Sequence, residues 1–198
     1  MVHISGGTGY LGSALVPLLE QRGHQTQVIP RPDVFSPIII ASRLNEGDTL
    51  INLTGTPKPA PWKERLFRTV DLPSLRASAE AAHQRKLAHF IYVSVAQPAP
   101  VMQAYVQVRQ EAEAFLAQCK LPRTILRPWY VLGPNHWWPY LLKPFYALAQ
   151  RVPSQRESAI RLGLVTRAQM VNSLLYAVEH PAPDCRIVET AAIRRGGI

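Results

Sequence analysis

Short apolar runs and helically spaced apolar positions alternate along this chain. Residues 1–5 are apolar and β-compatible, and residues 10–21 repeat apolar side chains at helical spacing until Gly23, so the chain opens as strand, turn, helix. Residues 25–29 predict a second strand, 36–40 a short third and 48–53 a fourth, each bounded by Gly, Pro, Asn or Asp. Helical patterns follow at 63–70 and 74–86, parted by Pro73. Residues 89–95 predict a fifth strand, 101–118 a helix and 124–127 a sixth strand. Beyond an aromatic, proline-rich stretch at 128–144, helical spacing returns near 145–151 and at 167–180, where Thr166 and Gln169 have the spacing of a capping box. Residues 185–189 read as a closing strand. Pro17 removes a backbone donor within the first helix and predicts a kink there.

Such alternation implies an α/β fold with a doubly wound parallel sheet, because parallel neighbours need crossover connections and the crossover helices cover both faces. At 198 residues and 47% hydrophobic content the chain supports one sizeable core. A single domain over 1–198 is expected, with 128–165 as a small cap on the substrate side. No apolar run reaches the roughly 20 residues of a spanning helix, and the N-terminus lacks the pattern of a secretory leader. Cys119 and Cys185 lie far apart without a ligand spacing, so a reducing cytoplasm is the expected home, with no metal site. The net charge is +9, with basic residues scattered singly or in pairs among acids. That distribution disfavours nucleic acid and leaves a polyanionic small molecule as a partner of a monomer or homodimer.

The strongest motif is Ser5-Gly6-Gly7-Thr8-Gly9-Tyr10-Leu11-Gly12, between the first strand and its helix. Gly6 permits a tight turn, Gly9 a close approach of backbone to a pyrophosphate and Gly12 close helix packing, while free amides at the helix start meet negative charge. The second strand leads into Ile29-Pro30-Arg31, where a dinucleotide fold meets the adenosine ribose. A guanidinium there suits the 2′-phosphate of NADP, whereas an acid suits the free hydroxyls of NAD. Arg31 therefore points to NADP. Asp33, two residues on, is the rival that would favour NAD.

With Gly6, Gly9 and Gly12 in a Gly-x-x-Gly-x-x-Gly pattern, the chain resembles the short-chain dehydrogenase/reductase superfamily, in its atypical and extended branches, the NAD-dependent epimerase/dehydratase type. Ile51-Asn52-Leu53-Thr54-Gly55 is similar to the family's adenine-side strand end, and Leu126-Arg127-Pro128 with Gly133-Pro134 to its segment beside the nicotinamide. The resemblance spans most of the chain and implies a Rossmann-type domain that ends as such domains do, though without the larger substrate lobe. It also implies that Thr8, Tyr10, Leu11, Leu53, Thr54, Gly55 and Pro128 border the cofactor.

In that family a Ser, a Tyr and a Lys four residues after the Tyr move the proton; the matching positions here are Ser94, Tyr105 and Arg109. A phenol with a reference pKa near 10 needs an adjacent positive charge to exchange protons at neutral pH, and a Ser hydroxyl orients a carbonyl. Arg109 carries that charge four residues from Tyr105, although its planar fork does not substitute for an ammonium in holding the nicotinamide ribose. A surface pair with Glu113 is its plain alternative. Three of the four tryptophans, with His136 between them, lie in the segment 129–140, either beside a substrate cleft or within a small packed cap. Two functions stay open: an NADP-dependent oxidoreductase acting on an unidentified carbonyl or alcohol, or an NADP-binding sensor or assembly module with little chemistry.

Overall fold

The computed structural model describes residues 1–133 and 161–196. Six parallel strands, β1 (Val2–Ser5), β2 (Thr26–Ile29), β3 (Thr49–Asn52), β4 (His89–Val93), β5 (Arg123–Arg127) and β8 (Cys185–Glu189), form one sheet in the order β2-β1-β3-β4-β5-β8. Ser5 stands level with Ile29 on one side and Asn52 on the other, so β1 to β3 end together at one carboxyl edge. The order reverses at β1, between β2 and β3, and a crevice opens at such a switch point.

The strands read as continuous apolar runs because both faces of the sheet are covered. Leu50, Phe90 and Ile125 enter a core beneath α2 (Pro37–Arg43), α4 (Leu72–Gln84) and α5 (Gln103–Gln118). Their chain neighbours Ile51, Ile91 and Leu126 enter the opposite core, under α1 (Gly12–Gln21) and α6 (Arg167–Glu179). Adjacent residues of one strand thus serve different cores, as the two-residue period of a strand requires.

The segment 36–40 is helical rather than a strand, and begins α2. Ser36 accepts a hydrogen bond from the Ile39 amide at 3.4 Å and Pro37 occupies the first turn, where its missing N–H costs nothing. The isoleucine run resembles a strand, yet only Ile40 is buried while Ile38 remains 79% exposed, so packing on one face decides the outcome. Pro73 likewise sits in the first turn of α4, and α3 (Glu64–Leu66) leads into it through a π turn, Phe67–Asp71, so one helical path replaces two separated helices. Pro17 lies inside α1 without ending it. The Thr166–Gln169 capping box forms at α6. A pair not anticipated joins β6 (Tyr130–Leu132) to β7 (Leu164–Thr166), ahead of α6, and α7 (Thr190–Arg194) follows β8. The helical pattern at 145–151, His136 and most of the expected cap lie outside the described residues.

Candidate functional site

The turn from β1 to α1 is built by backbone crowding. Gly6 has φ +79°, and a side-chain carbon placed on it would stand 2.8 Å from the Leu53 carbonyl carbon and 2.9 Å from the Thr54 nitrogen. The Gly9 amide donates to the Gly6 carbonyl at 2.9 Å, closing the turn, and a carbon on Gly12 would come within 2.5 Å of that same carbonyl. No side chain caps the first turn of α1, where Leu11 holds the N-cap position. Helix amides without a side-chain acceptor form an anion-binding end. Thr8 and Gly9 are exposed at the rim. Tyr10 lies under Arg167, whose guanidinium is 5.0 Å from the ring centre and donates to Ser13 Oγ at 2.8 Å.

Opposite Gly6, the Leu53 amide donates to the Ser5 carbonyl at 2.9 Å, holding the end of β3 against that of β1. The Thr54 hydroxyl beside it is buried and has no hydrogen-bond partner among the described residues. A buried hydroxyl of this kind calls for a partner from a ligand or water. At the end of β2, Arg31 is exposed, while Asp33 is tied to Arg43 of α2 at 2.5 Å.

On α5, Tyr105, Arg109 and Glu113 follow at four-residue spacing and share the face turned to the sheet. Arg109 is buried and donates to the Tyr92 hydroxyl at 2.9 Å, the Val93 carbonyl at 3.1 Å and Asp71 Oδ2 at 3.0 Å. Its guanidinium also lies 4.9 Å from the centre of the Tyr105 ring, which tilts against Phe67 at 4.8 Å. Asp71 further accepts from the Thr56 amide at 2.7 Å and the Thr56 hydroxyl at 2.8 Å. Gly55 leaves room for this pair, since a side-chain carbon there would stand 3.0 Å from the Arg109 fork. Burial pushes the Tyr105 phenol above its ordinary pKa; Arg109 pulls it down, and the Asp71 carboxylate works against Arg109. Burial likewise lifts the Tyr92 phenol to about 12.

Ser94, 3% exposed past the end of β4, donates to Glu113 Oε1 at 2.5 Å. The same carboxylate accepts from Gln97 at 2.9 Å and from Arg127, which also reaches Glu189 at 2.9 Å. Ser94 and Tyr105 therefore belong to separate networks, one gathered on Glu113 and one on Arg109. Pro128 is buried next to Arg127, its carbonyl accepting from the Ala96 amide at 3.0 Å. Trp129 packs on Val95, Ala99 and Val106.

The surface pair between Arg109 and Glu113 does not form, because each has a buried partner elsewhere. Asp71, 38 positions from Arg109, and Arg127, 14 from Glu113, carry no local sequence signal that marks them as those partners. Among the described residues, no cluster of three or more His, Cys, Asp or Glu is arranged to hold a metal, and no helix is long and apolar enough to cross a membrane.

No family model matches the chain, and no curated protein matches it in sequence. Solved structures do match in fold. The UDP-N-acetylglucosamine 4-epimerase from Bacillus cereus superposes with a TM-score of 0.71 at 14% identity, over 98% of this chain and 82% of that one. A short-chain dehydrogenase/reductase superfamily protein from Agrobacterium tumefaciens, solved with bound NAD, gives 0.68 at 15% identity over 98% and 81%. The dTDP-4-dehydrorhamnose reductase from Yersinia enterocolitica gives 0.67 at 16% identity over 95% and 74%. The chain thus has the Rossmann-like α/β fold of these three structures.

Proposed function

We propose that this protein binds a nicotinamide dinucleotide, NADP in preference to NAD, and works as an oxidoreductase of the short-chain dehydrogenase/reductase type on a carbonyl or alcohol. The observation that carries the proposal is the α1 N-terminus without a side-chain cap behind the Gly6–Gly12 turn, with Gly6 packed on the backbone of Thr54, whose buried hydroxyl has no partner among the described residues. These features suit a diphosphate: amides for its charge, a backbone free of side chains for its approach and a hydroxyl left to bond. Gly6, Thr8, Gly9, Tyr10, Leu11 and Gly12 would hold the diphosphate, Arg31 with Leu53, Thr54 and Gly55 the adenine side, and Arg109 and Pro128 the nicotinamide side. A likeness in fold to proteins solved with NAD supports a dinucleotide at this site, while the preference for NADP rests on Arg31.

When bound, the nicotinamide supplies or accepts the hydride. Tyr105 is then the residue that gives a proton to the substrate oxygen or takes one from it, with the Arg109 charge favouring its phenolate. Ser94 orients the substrate oxygen. Residues 128–165 would border the substrate within the same single domain, and the cytoplasm suits the two free cysteines.

One observation favours the second reading, a dinucleotide-binding sensor or assembly module. The Arg109 charge is already matched by Asp71, and burial holds the Tyr105 phenol above its usual pKa, which makes it a poor acid at neutral pH. Consumption of NADPH over a panel of carbonyls, compared between wild type and Tyr105→Phe, separates the two. Turnover that Tyr105→Phe abolishes supports the oxidoreductase. Tight NADPH binding without turnover on any carbonyl supports the module, and turnover unaffected by the substitution removes Tyr105 from its role.

A further inference from the structure

Arg31 is only one of the charges at the far end of the proposed dinucleotide site. Two residues after it, Asp33 opens the short turn Asp33–Phe35, with its amide donating to the Pro30 carbonyl at 3.0 Å. The carboxylate is thereby fixed just past β2, where an acid would accept from the ribose hydroxyls of NAD and repel the 2′-phosphate of NADP. It is not left free. Arg43, ten positions on at the last turn of α2, closes on Asp33 Oδ2 at 2.5 Å, and both side chains are mostly withdrawn from solvent. The helix that replaces the expected third strand is what brings Arg43 back to this turn, since the seven residues of α2 from Pro37 to Arg43 pack against the turn Asp33–Phe35.

We infer that Arg43 is a specificity-determining residue: by pairing with Asp33 it neutralises the one carboxylate in the turn after β2 and lets Arg31 act on a 2′-phosphate unopposed. The inference rests on the proposed dinucleotide site and adds to it the residue that sets its choice of coenzyme. Arg43 works through Asp33, so it is a positioning residue and its effect is conditional on that acid. With Arg43 removed, Asp33 turns to the ribose, where it favours NAD by hydrogen bonding and disfavours NADP by charge. A carboxylate set against a phosphate at the protein surface changes affinity by a factor of roughly 5–20.

The test is calorimetric titration of wild type, Arg43→Gln, Asp33→Asn and the double variant with NADPH and with NADH, each first checked for a cooperative thermal transition. Arg43→Gln is expected to lower the NADPH-to-NADH affinity ratio roughly tenfold, while Asp33→Asn alone leaves the wild-type ratio within about twofold. The double variant is expected to regain the wild-type ratio, which a merely structural role of Arg43 does not produce. An unchanged ratio in Arg43→Gln overturns the inference. So does a lowered ratio that Asp33→Asn fails to rescue, because Arg43 then acts on the phosphate itself. If wild type binds neither coenzyme, the dinucleotide site falls and this inference with it; if wild type binds both and only the ratios fail to move, the site stands and the role of Arg43 alone is lost.

Discussion

The glycine turn and the inner face of α5 stand at the same carboxyl edge of the sheet, yet they differ in how far side chains satisfy their polar groups. Around Gly6 and Gly12, side chains are removed, the helix start carries no side-chain cap and the Thr54 hydroxyl has no partner among the described residues. On α5, the terminal nitrogens of Arg109 are held by Asp71, Tyr92 and Val93 while its Nε has no partner among the described residues, and Glu113 is held by Ser94, Gln97 and Arg127. Polar groups left unmatched in a folded protein are an expense tolerated where a ligand completes them, whereas matched buried pairs hold the fold. The first region therefore suits the proposed binding surface, and the second is built mainly as a scaffold.

The largest expected effect comes from breaking the scaffold side. Arg109→Met leaves Asp71 buried without its cation and should destabilise the protein by about 3–5 kcal/mol in denaturant unfolding, much of it regained in Asp71→Asn/Arg109→Met. Its counterpart, Arg31→Ala, should leave stability within about 0.5 kcal/mol while weakening NADPH far more than NADH. Equal stability losses at the two arginines would erase the contrast.

Next comes Gly6→Ala. At φ +79°, with Leu53 and Thr54 backbone within 3 Å of the added carbon, the substitution should cost about 1–3 kcal/mol and abolish dinucleotide binding. Retained binding would mean that the turn is only structural.

A third effect isolates the site from the rest of the sheet. His89 lies at the amino end of β4, its Nε2 3.0 Å from the Thr124 hydroxyl and 3.4 Å from the Ala182 amide, which donates to it. Burial, with Arg186 nearby, lowers its pKa from 6.5 to about 4. As pH falls from 6.5 the unfolded chain takes up a proton that the folded protein refuses until about pH 4, so stability declines across that window by about 3 kcal/mol. His89→Gln should flatten this part of the pH–stability curve without altering coenzyme affinity at neutral pH. A curve unchanged by that substitution assigns the acid sensitivity to another group.

The smallest expected shift concerns Tyr105. Removing the Asp71 charge in Asp71→Asn leaves Arg109 unopposed and should lower the Tyr105 pKa, read by spectrophotometric tyrosinate titration against Tyr105→Phe. A pKa that rises or stays fixed would show that Asp71 does not restrain the phenol.

The sheet, its helices and the glycine turn were legible in the sequence because they depend on local signals: apolar period, Gly and Pro punctuation, and the Thr166–Gln169 box. Residues 36–40 misled because an isoleucine run fits either period; Ser36 and Pro37, which start a helix, were the better guide. Arg31 and Ser94 lie just past strand ends and Tyr105 and Arg109 on one helix face, positions that their spacing in the sequence implied. Their partners could not, since Asp33–Arg43, Asp71–Arg109 and Glu113–Arg127 join residues that only the folded chain brings together.

Calorimetric titration of the folded wild-type chain with NADPH, NADP, NADH and NAD in turn tests most directly whether the bend between β1 and α1 is a diphosphate cradle. Saturable heat with at least one of the four, lost in Gly6→Ala, is the expected result. No heat with any of them, from protein that unfolds cooperatively, would contradict it.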